Sequence, residues 1–545
     1  MSSPSPDLAS ASDSASKTTP RSHNPSASAF LVAAGILLSR ISGFAREWFF
    51  ARYFGNSDVA GIFRAAQSIP NFLQNLLGEG VLSASFIPVY SRLLAEGNEA
   101  DARKVAGAVA SLLGAVVSVL VLIGIGLAPV LTKLIVPGFT GPHYDLAVQL
   151  VRIVFPGTGI LVMSAWCLGV LNSHRQFFLS YSVQVVMNAT VIVTLVVFRH
   201  QPGETLVVYT TWGATLGSFL IFLVQLPKVL GLLKRFEPSF DVRFAPVWKV
   251  IQNFLPVVAG RGVVQISAYV DRILASFISP TALAVLANAQ IVYMLPVSLF
   301  GMSFSAAELP EMSSTLGTSE EIAEQIRQRL IATLRHVAFY VIPSAVAFWV
   351  LGDVVVGALF QNGRFQRGDT VLVWCTLAGL TIGLLAATMG RLYSSTFYAL
   401  HETKIPLKCS IARVGITAVL GYGLALEVPH LLGLKPFWGI VGLTISSGVA
   451  SWVEYLLLRW ILRRRIGSFR LPWRFGLTLW AIAGSAAVLG IAIKSVLMWL
   501  PPFVLAGVVL GIYGVAYLAG TIWLGIPEAD FLRTKLLGRL KRFLR

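Results

Sequence analysis

Charge is scarce in this 545-residue sequence: Asp, Glu, Lys and Arg make up 12% of it, against 55% hydrophobic residues and a mean hydropathy of +0.74. Soluble domains carry about 25% charged residues, so that class is excluded and a polytopic, all-α membrane protein is expected. Cysteine is nearly absent. Cys167, Cys375 and Cys409 lie far apart, in or beside apolar segments, which excludes a disulfide framework and a cysteine metal cluster. The seven histidines fall mostly in tails and loops, there is no Walker-type phosphate loop, and no serine, cysteine or carboxylate grouping has catalytic spacing. The chain therefore reads as a non-enzyme without cofactor or metal, and ATP-driven transport by this chain alone is not expected. Acidic residues are the scarcer charge, 25 against 43 basic, for a net +18. The basic residues cluster in short loops between apolar runs, which is the pattern of orientation signals rather than of a nucleic-acid groove.

The first 27 residues are rich in Ser, Pro and Ala, with Lys17 and Arg21 as their only Lys or Arg, and read as a disordered cytoplasmic tail. A cleaved signal peptide is not expected, because the following apolar run contains Arg40 and no clear small-residue cleavage site. Apolar windows of about 20 residues then give about fourteen transmembrane helices. They run over 28–48, 63–94, 104–134, 144–172, 180–199, 205–228, 247–277, 281–312, 329–360, 368–399, 407–426, 437–462, 472–498 and 502–525. Alternate loops hold most of the Lys and Arg, including Arg103, Lys104, Lys234, Arg235 and the Arg463–Arg465 run, which predicts both termini in the cytoplasm. The natural division is a six-helix lobe over 28–228, a second over 247–462, two further helices over 472–525 and a basic cytoplasmic tail over 526–545. Leu537, Leu540 and Phe543 interleave with that tail's basic residues, so it is either an amphipathic helix on an anionic leaflet or a plain topology anchor.

A weak internal repeat relates the two lobes. Arg46 precedes Pro70 by the interval at which Arg272 precedes Pro296, and each proline leads into a glycine-containing apolar helix with a further proline, Pro88 or Pro310. Both copies enter from the same side, so the repeat is parallel, with two pseudo-symmetric lobes about the membrane normal.

Charges inside the spans are the functional candidates. Arg40 lies roughly 16 Å into the first apolar run, and Arg261 about 18 Å beyond Lys249 in the seventh, so each lobe places an arginine at mid-depth. A guanidinium there is costly and normally faces a cavity. Two of them between lobes describe a site for an anionic headgroup, since the planar fork binds two phosphate oxygens at once. Glu47 shares the face of Arg40 and balances the cationic site, whereas Arg46 is turned about 120° away. For Arg46, Asp271 and Arg272 two readings stand: headgroup or gate contacts, or interhelical ion pairs and snorkelling. Arg64 opens the second segment. Glu79, flanked by Gly78 and Gly80, reads as a hinge contact, a cation site or the partner of an arginine.

The stretch Ser39-Arg40 through Gly43-Phe44-Ala45-Arg46-Glu47, then Phe54-Gly55, Pro70-Asn71, Glu79-Gly80 and Phe86-Ile87-Pro88, resembles the opening of the MurJ (MviN) lipid II flippases. The likeness continues through Phe155-Pro156, Leu171-Asn172, Asn188, Asp271-Arg272, Leu309-Pro310, Phe360-Gln361 and Phe397-Tyr398. It implies a fourteen-helix member of the multidrug, oligosaccharidyl-lipid and polysaccharide exporter superfamily in the bacterial inner membrane, working by alternating access. The implied substrate is the undecaprenyl-pyrophosphate-linked peptidoglycan precursor, with membrane lipids and the cell-wall synthesis machinery as partners. The resemblance also implies a central cationic cavity from the first, second, seventh and eighth helices and a lipid-tail groove from the last two. Arg40, Arg46 and Glu47 match the family's first helix. Gln74 stands where the second helix carries an arginine, Gly61 where an acidic residue precedes it, and Ile291 and Met294 where the eighth has arginine and glutamate. Arg64 and Arg261 are the candidates to compensate. The alternatives are a flippase or exporter of another polyprenyl-linked glycan or drug, and a non-transporting membrane scaffold.

Overall fold

The computed structural model describes residues 25–267, 269–315, 318–469 and 472–529, with side chains placed except at 25–33, 259–267 and 319. Of the expected tails, 1–24 and 530–545 lie outside it. No strand occurs among the described residues. The helices of the first half are α1 Pro25–Phe54, α2 Asp58–Leu77, α3 Glu79–Ala95, α4 Glu99–Gly126, α5 Ala128–Ile135, α6 Gly141–Ser173, α7 Phe177–Ser182, α8 Gln184–Val197 and α9 Gly203–Leu233. The second half continues with α10 Ala245–Ser267, α11 Val270–Ile278, α12 Pro280–Pro296, α13 Ser303–Ser313, α14 Ser319–Val350, α15 Gly352–Phe360, α16 Arg367–Ile382 and α17 Leu384–Ala399. It ends with α18 Lys404–Tyr422, α19 Val428–Leu431, α20 Gly439–Ile466, α21 Trp473–Val496 and α22 Pro502–Trp523.

Helix starts follow local chemistry. Ser57 accepts from the Ala60 amide, Ser279 from the Ala282 amide ahead of Pro280, and Thr318 and Glu321 form a reciprocal capping box. These side chains satisfy amides that have no partner inside the helix. Burial then decides packing: α6 lies against α9, α2, α3 and α4, α20 against α18, α16 and α17, and α21 against α22 and α14. Ion pairs on two buried carboxylates pin the later helices. Asp353, 1% exposed, takes Lys494 and Arg367 at 2.7 and 2.9 Å, and Arg335 grips Glu528 at 2.6 and 3.3 Å.

Ten helical stretches among the described residues are long and apolar enough to cross a membrane, or eleven when α16 and α17, bent by 44°, count as one span. The expected spans outside that set are 28–48, 63–94 and 247–277. The second is broken between α2 and α3 at Gly78, where an added Cβ would lie 2.4 Å from the Gln74 carbonyl oxygen. The third is divided into α10 and α11. Two of these expected spans, 28–48 and 247–277, run through 25–33 and 259–267, whose side chains are not described, so length and composition among the described residues leave the count of fourteen unestablished. In the corresponding part of the second half, α12 passes after Pro296 into a π-helical turn, Val297–Met302. Both proline-led helices are thus irregular after their proline, the first at Gly78 and the second over Val297–Met302.

At the end of the bundle marked by Phe54, the two halves meet tightly. Asp58 Oδ1 accepts from the Thr281 amide at 3.1 Å and its hydroxyl at 2.8 Å, and Asn288 donates to Asn56 at 2.8 Å. Gly61 packs directly on the Pro280 carbonyl.

Candidate functional site

Arg40, Arg46 and Glu47 on α1, Arg64, Gln67 and Asn71 on α2, Arg272 on α11 and one face of α12 enclose a cavity of about 670 Å³. Four guanidinium groups and one carboxylate line it, so its electrostatics are cationic. Helical spacing explains the α2 wall: positions 64, 67 and 71 follow one another by three and four residues and form a polar stripe, which Gln74 extends beyond this cavity.

Glu47, 8% exposed, organises the cations. Its Oε1 accepts from Arg46 at 2.7 Å, and its carboxylate accepts both terminal nitrogens of Arg64, with Oε2 pairing the second. Arg46 also donates to Asn188 of α8 at 3.1 Å, and Asn188 donates to Ser42 at 2.9 Å. The Arg64 guanidinium lies 4.6 Å from the centre of the Phe50 ring. A buried carboxylate between two cations satisfies the charge that burial would otherwise penalise. Arg40 is different. It is exposed to the cavity and has no ion-pair partner among the described residues. Replacing Arg40 with alanine is therefore expected to change stability by no more than about 0.5 kcal/mol, checked by thermal unfolding of the purified protein.

The structure brings Arg40, Arg46, Glu47, Arg64 and Arg272 together. Arg46 reaches the same cavity as Arg40 despite its turned position, because its long side chain spans the difference. Gln74 and Glu79 line a separate cavity of about 220 Å³, which shares Ser39 with the central one and continues past Gly78 to Gln184 and Gln225. Glu79 is not inside a continuous helix as its sequence context implied: it opens α3 at the break. Asp271 accepts from the Ser447 hydroxyl of α20 at 3.0 and 3.1 Å, while Arg272 stacks over Tyr269, 5.1 Å from the ring centre. Tyr269 in turn donates to the Ser68 carbonyl at 2.7 Å, tying α11 to α2. Arg261 lies on α10, and its side chain falls outside the described residues. Gln67 and Gln290 were not singled out from sequence, although the polar stripe on α2 carries the signal for the first. On α12, Ile291 and Met294 give the cavity an apolar wall.

The family model described as lipid II flippase MurJ matches residues 50–514, from the end of α1 into α22. A probable lipid II flippase MurJ of Rhizobium tropici is 28% identical over 487 residues, covering 87% of each chain. The lipid II flippase MurJ of Burkholderia cenocepacia is 28% identical over 445 residues, covering 80% of this chain and 84% of its own. Among solved structures, a lipid II flippase MurJ in an inward closed conformation superposes with a TM-score of 0.73 at 22% identity, over 91% of this chain and 98% of that one. An inward-facing multidrug resistance MATE family transporter of the MOP superfamily gives 0.61 at 17% identity, over 80% and 98%. The helical membrane fold, the broken cavity-lining helices and a family match running through most of the chain agree, and the chain belongs to the lipid II flippase MurJ family.

Proposed function

We propose that the protein moves lipid II from the cytoplasmic to the outer leaflet of the bacterial inner membrane by alternating access. The observation that carries this reading is the central cavity, lined by four arginines against one carboxylate. A pyrophosphate brings the complementary charge, and guanidinium forks bind its oxygens in pairs. Arg40 is the first headgroup contact, with Arg272 opposite. Arg46 and Arg64 are held by Glu47 and offer their remaining donors. Lobes 28–228 and 247–462 rock about this site, and α21 and α22 supply the groove for the polyprenyl tail. With both termini cytoplasmic, the tight seal around Asp58 and Thr281 is the outer gate, and the smaller cavity at Gln74 and Glu79 lies on the cytoplasmic approach. Arg261, on α10, is assigned a further headgroup contact.

The apolar wall at Ile291 and Met294 supports a second reading, in which the headgroup is that of another polyprenyl-linked glycan. Thermal stabilisation of the purified protein by defined lipids separates the two. Lipid II is expected to raise the unfolding temperature of the wild type and to lose at least tenfold in apparent affinity with Arg40→Ala, the loss of about 1.4 kcal/mol for a charge-assisted contact. Stabilisation by another lipid-linked glycan but not by lipid II would replace the first reading with the second. The absence of stabilisation by either would leave a scaffold.

A further inference from the structure

A second charged cleft lies on the outside of the first half, away from the central cavity. It measures about 550 Å³ and is formed where α5, α6 and α9 meet, with Pro129, Tyr144, Asp145, Gln149, Arg152 and Trp212 among its walls. Asp145, Gln149 and Arg152 follow one another at four and three residues, so they stand on one face of α6, and all three are exposed. Neither Asp145 nor Arg152 has an ion-pair partner among the described residues. The other ionisable groups nearby are engaged elsewhere: Lys133 donates to the Pro137 carbonyl at 3.0 Å and lies over the Tyr144 ring, and His143 is 3.9 Å from Asp58.

Depth gives the two free charges meaning. With 33 residues α6 is roughly 50 Å long, against a hydrocarbon layer of about 30 Å, so when centred on that layer it overshoots by about 10 Å at each end. Arg152 is roughly 16 Å from the Gly141 end and hence several ångströms inside the hydrocarbon boundary, while Asp145 is about 10 Å nearer the water. Read outward from the bilayer centre, the cleft presents a cation and then an anion. A zwitterionic aminophospholipid presents the complementary series in the same direction, phosphate first and ammonium second. Trp212, 55% exposed, and Pro129 supply apolar surface for the glycerol and upper acyl chain, the place where amphipathic rings settle at membrane interfaces.

We propose that this cleft is a binding site for one aminophospholipid of the leaflet at the Gly141 end of α6, with Arg152 on the phosphate, Gln149 beside it and Asp145 on the ammonium. The site is separate from the transport cavity, and its occupant is a bilayer lipid rather than the transported one. The geometry also sets the selectivity. A phosphatidylglycerol headgroup satisfies Arg152 but offers Asp145 only neutral hydroxyl donors in place of a countercharge, and a choline headgroup offers Asp145 no N–H donor.

Native mass spectrometry of the purified full-length chain, titrated with phosphatidylethanolamine, phosphatidylglycerol and phosphatidylcholine of identical acyl chains, tests this. One ethanolamine lipid is expected to bind at least about fivefold tighter than either of the others. Asp145→Asn should bring it down to the phosphatidylglycerol level, and Arg152→Gln should weaken the binding of all three lipids through the phosphate they share. Equal binding of the three lipids to the wild type would mean non-selective annular lipid and overturn the proposal without reliance on any variant. A preference for ethanolamine that survives Asp145→Asn, or binding of all three lipids unchanged by Arg152→Gln, would overturn it as well.

Discussion

Replacing Gly61 with alanine is expected to disrupt the seal between the two halves of the molecule and with it the transport cycle. A Cβ at position 61 would lie 1.7 Å from the Pro280 carbonyl oxygen and 2.4 Å from its carbon, and both are backbone atoms that cannot swing aside like a side-chain tip. The opposing effect is small: alanine is favoured over glycine in a helix by about 1 kcal/mol. The overlap costs about 3 kcal/mol or more if the seal is kept, so the helices separate instead. That energy falls only on the sealed state and shifts the population away from it by roughly 100-fold. The shift is measurable as loss of cross-linking between Asp58→Cys and Thr281→Cys, whose parent side chains are hydrogen-bonded at 2.8 Å. Undiminished cross-linking together with normal transport in Gly61→Ala would show that the close approach at Pro280 does not matter to the cycle.

The second large effect is expected at Glu47. Glutamine in its place keeps the shape but leaves Arg46 and Arg64 facing one another with their shared countercharge gone. Removing one partner from a buried ionic cluster costs about 3–5 kcal/mol, far above the value of an exposed pair. Glu47→Gln should therefore lower the unfolding temperature strongly, while Glu47→Gln combined with Arg64→Gln should recover much of the loss. A double-mutant cycle measures that recovery as a coupling energy of about 2–3 kcal/mol. Single and double variants that melt like the wild type would mean that solvent in the cavity already screens the cluster.

These two residues illustrate what the chain order reveals and what it hides. Arg40 was legible because one charge inside a long apolar run stands out by composition alone, and the all-helical membrane fold followed from the length of the apolar runs. The family resemblance was legible from the motif residues themselves, above all the Ser39–Glu47 block. The Glu47–Arg64 pair was not, since it depends on how α1 and α2 face each other across the Phe54–Asp58 turn. The break at Gly78 was equally hidden: glycines are common in membrane helices, and only the approach of the Gln74 carbonyl marks this one as a joint. Gln74 itself, matched to an arginine in the resemblance, opens into the neighbouring cavity rather than the central one. A residue's helix and face could be read, but which of two adjoining cavities it enters depends on the α2–α3 bend.

Exposure of lipid II on the outer leaflet, measured in a host whose only flippase is this protein, bears most directly on the cationic cavity as a transport site. Depletion of the protein should abolish the exposed pool, wild-type expression should restore it, and equally abundant Arg40→Ala protein should leave it at least tenfold lower. Undiminished exposure after depletion, or full restoration by Arg40→Ala, would contradict the assignment.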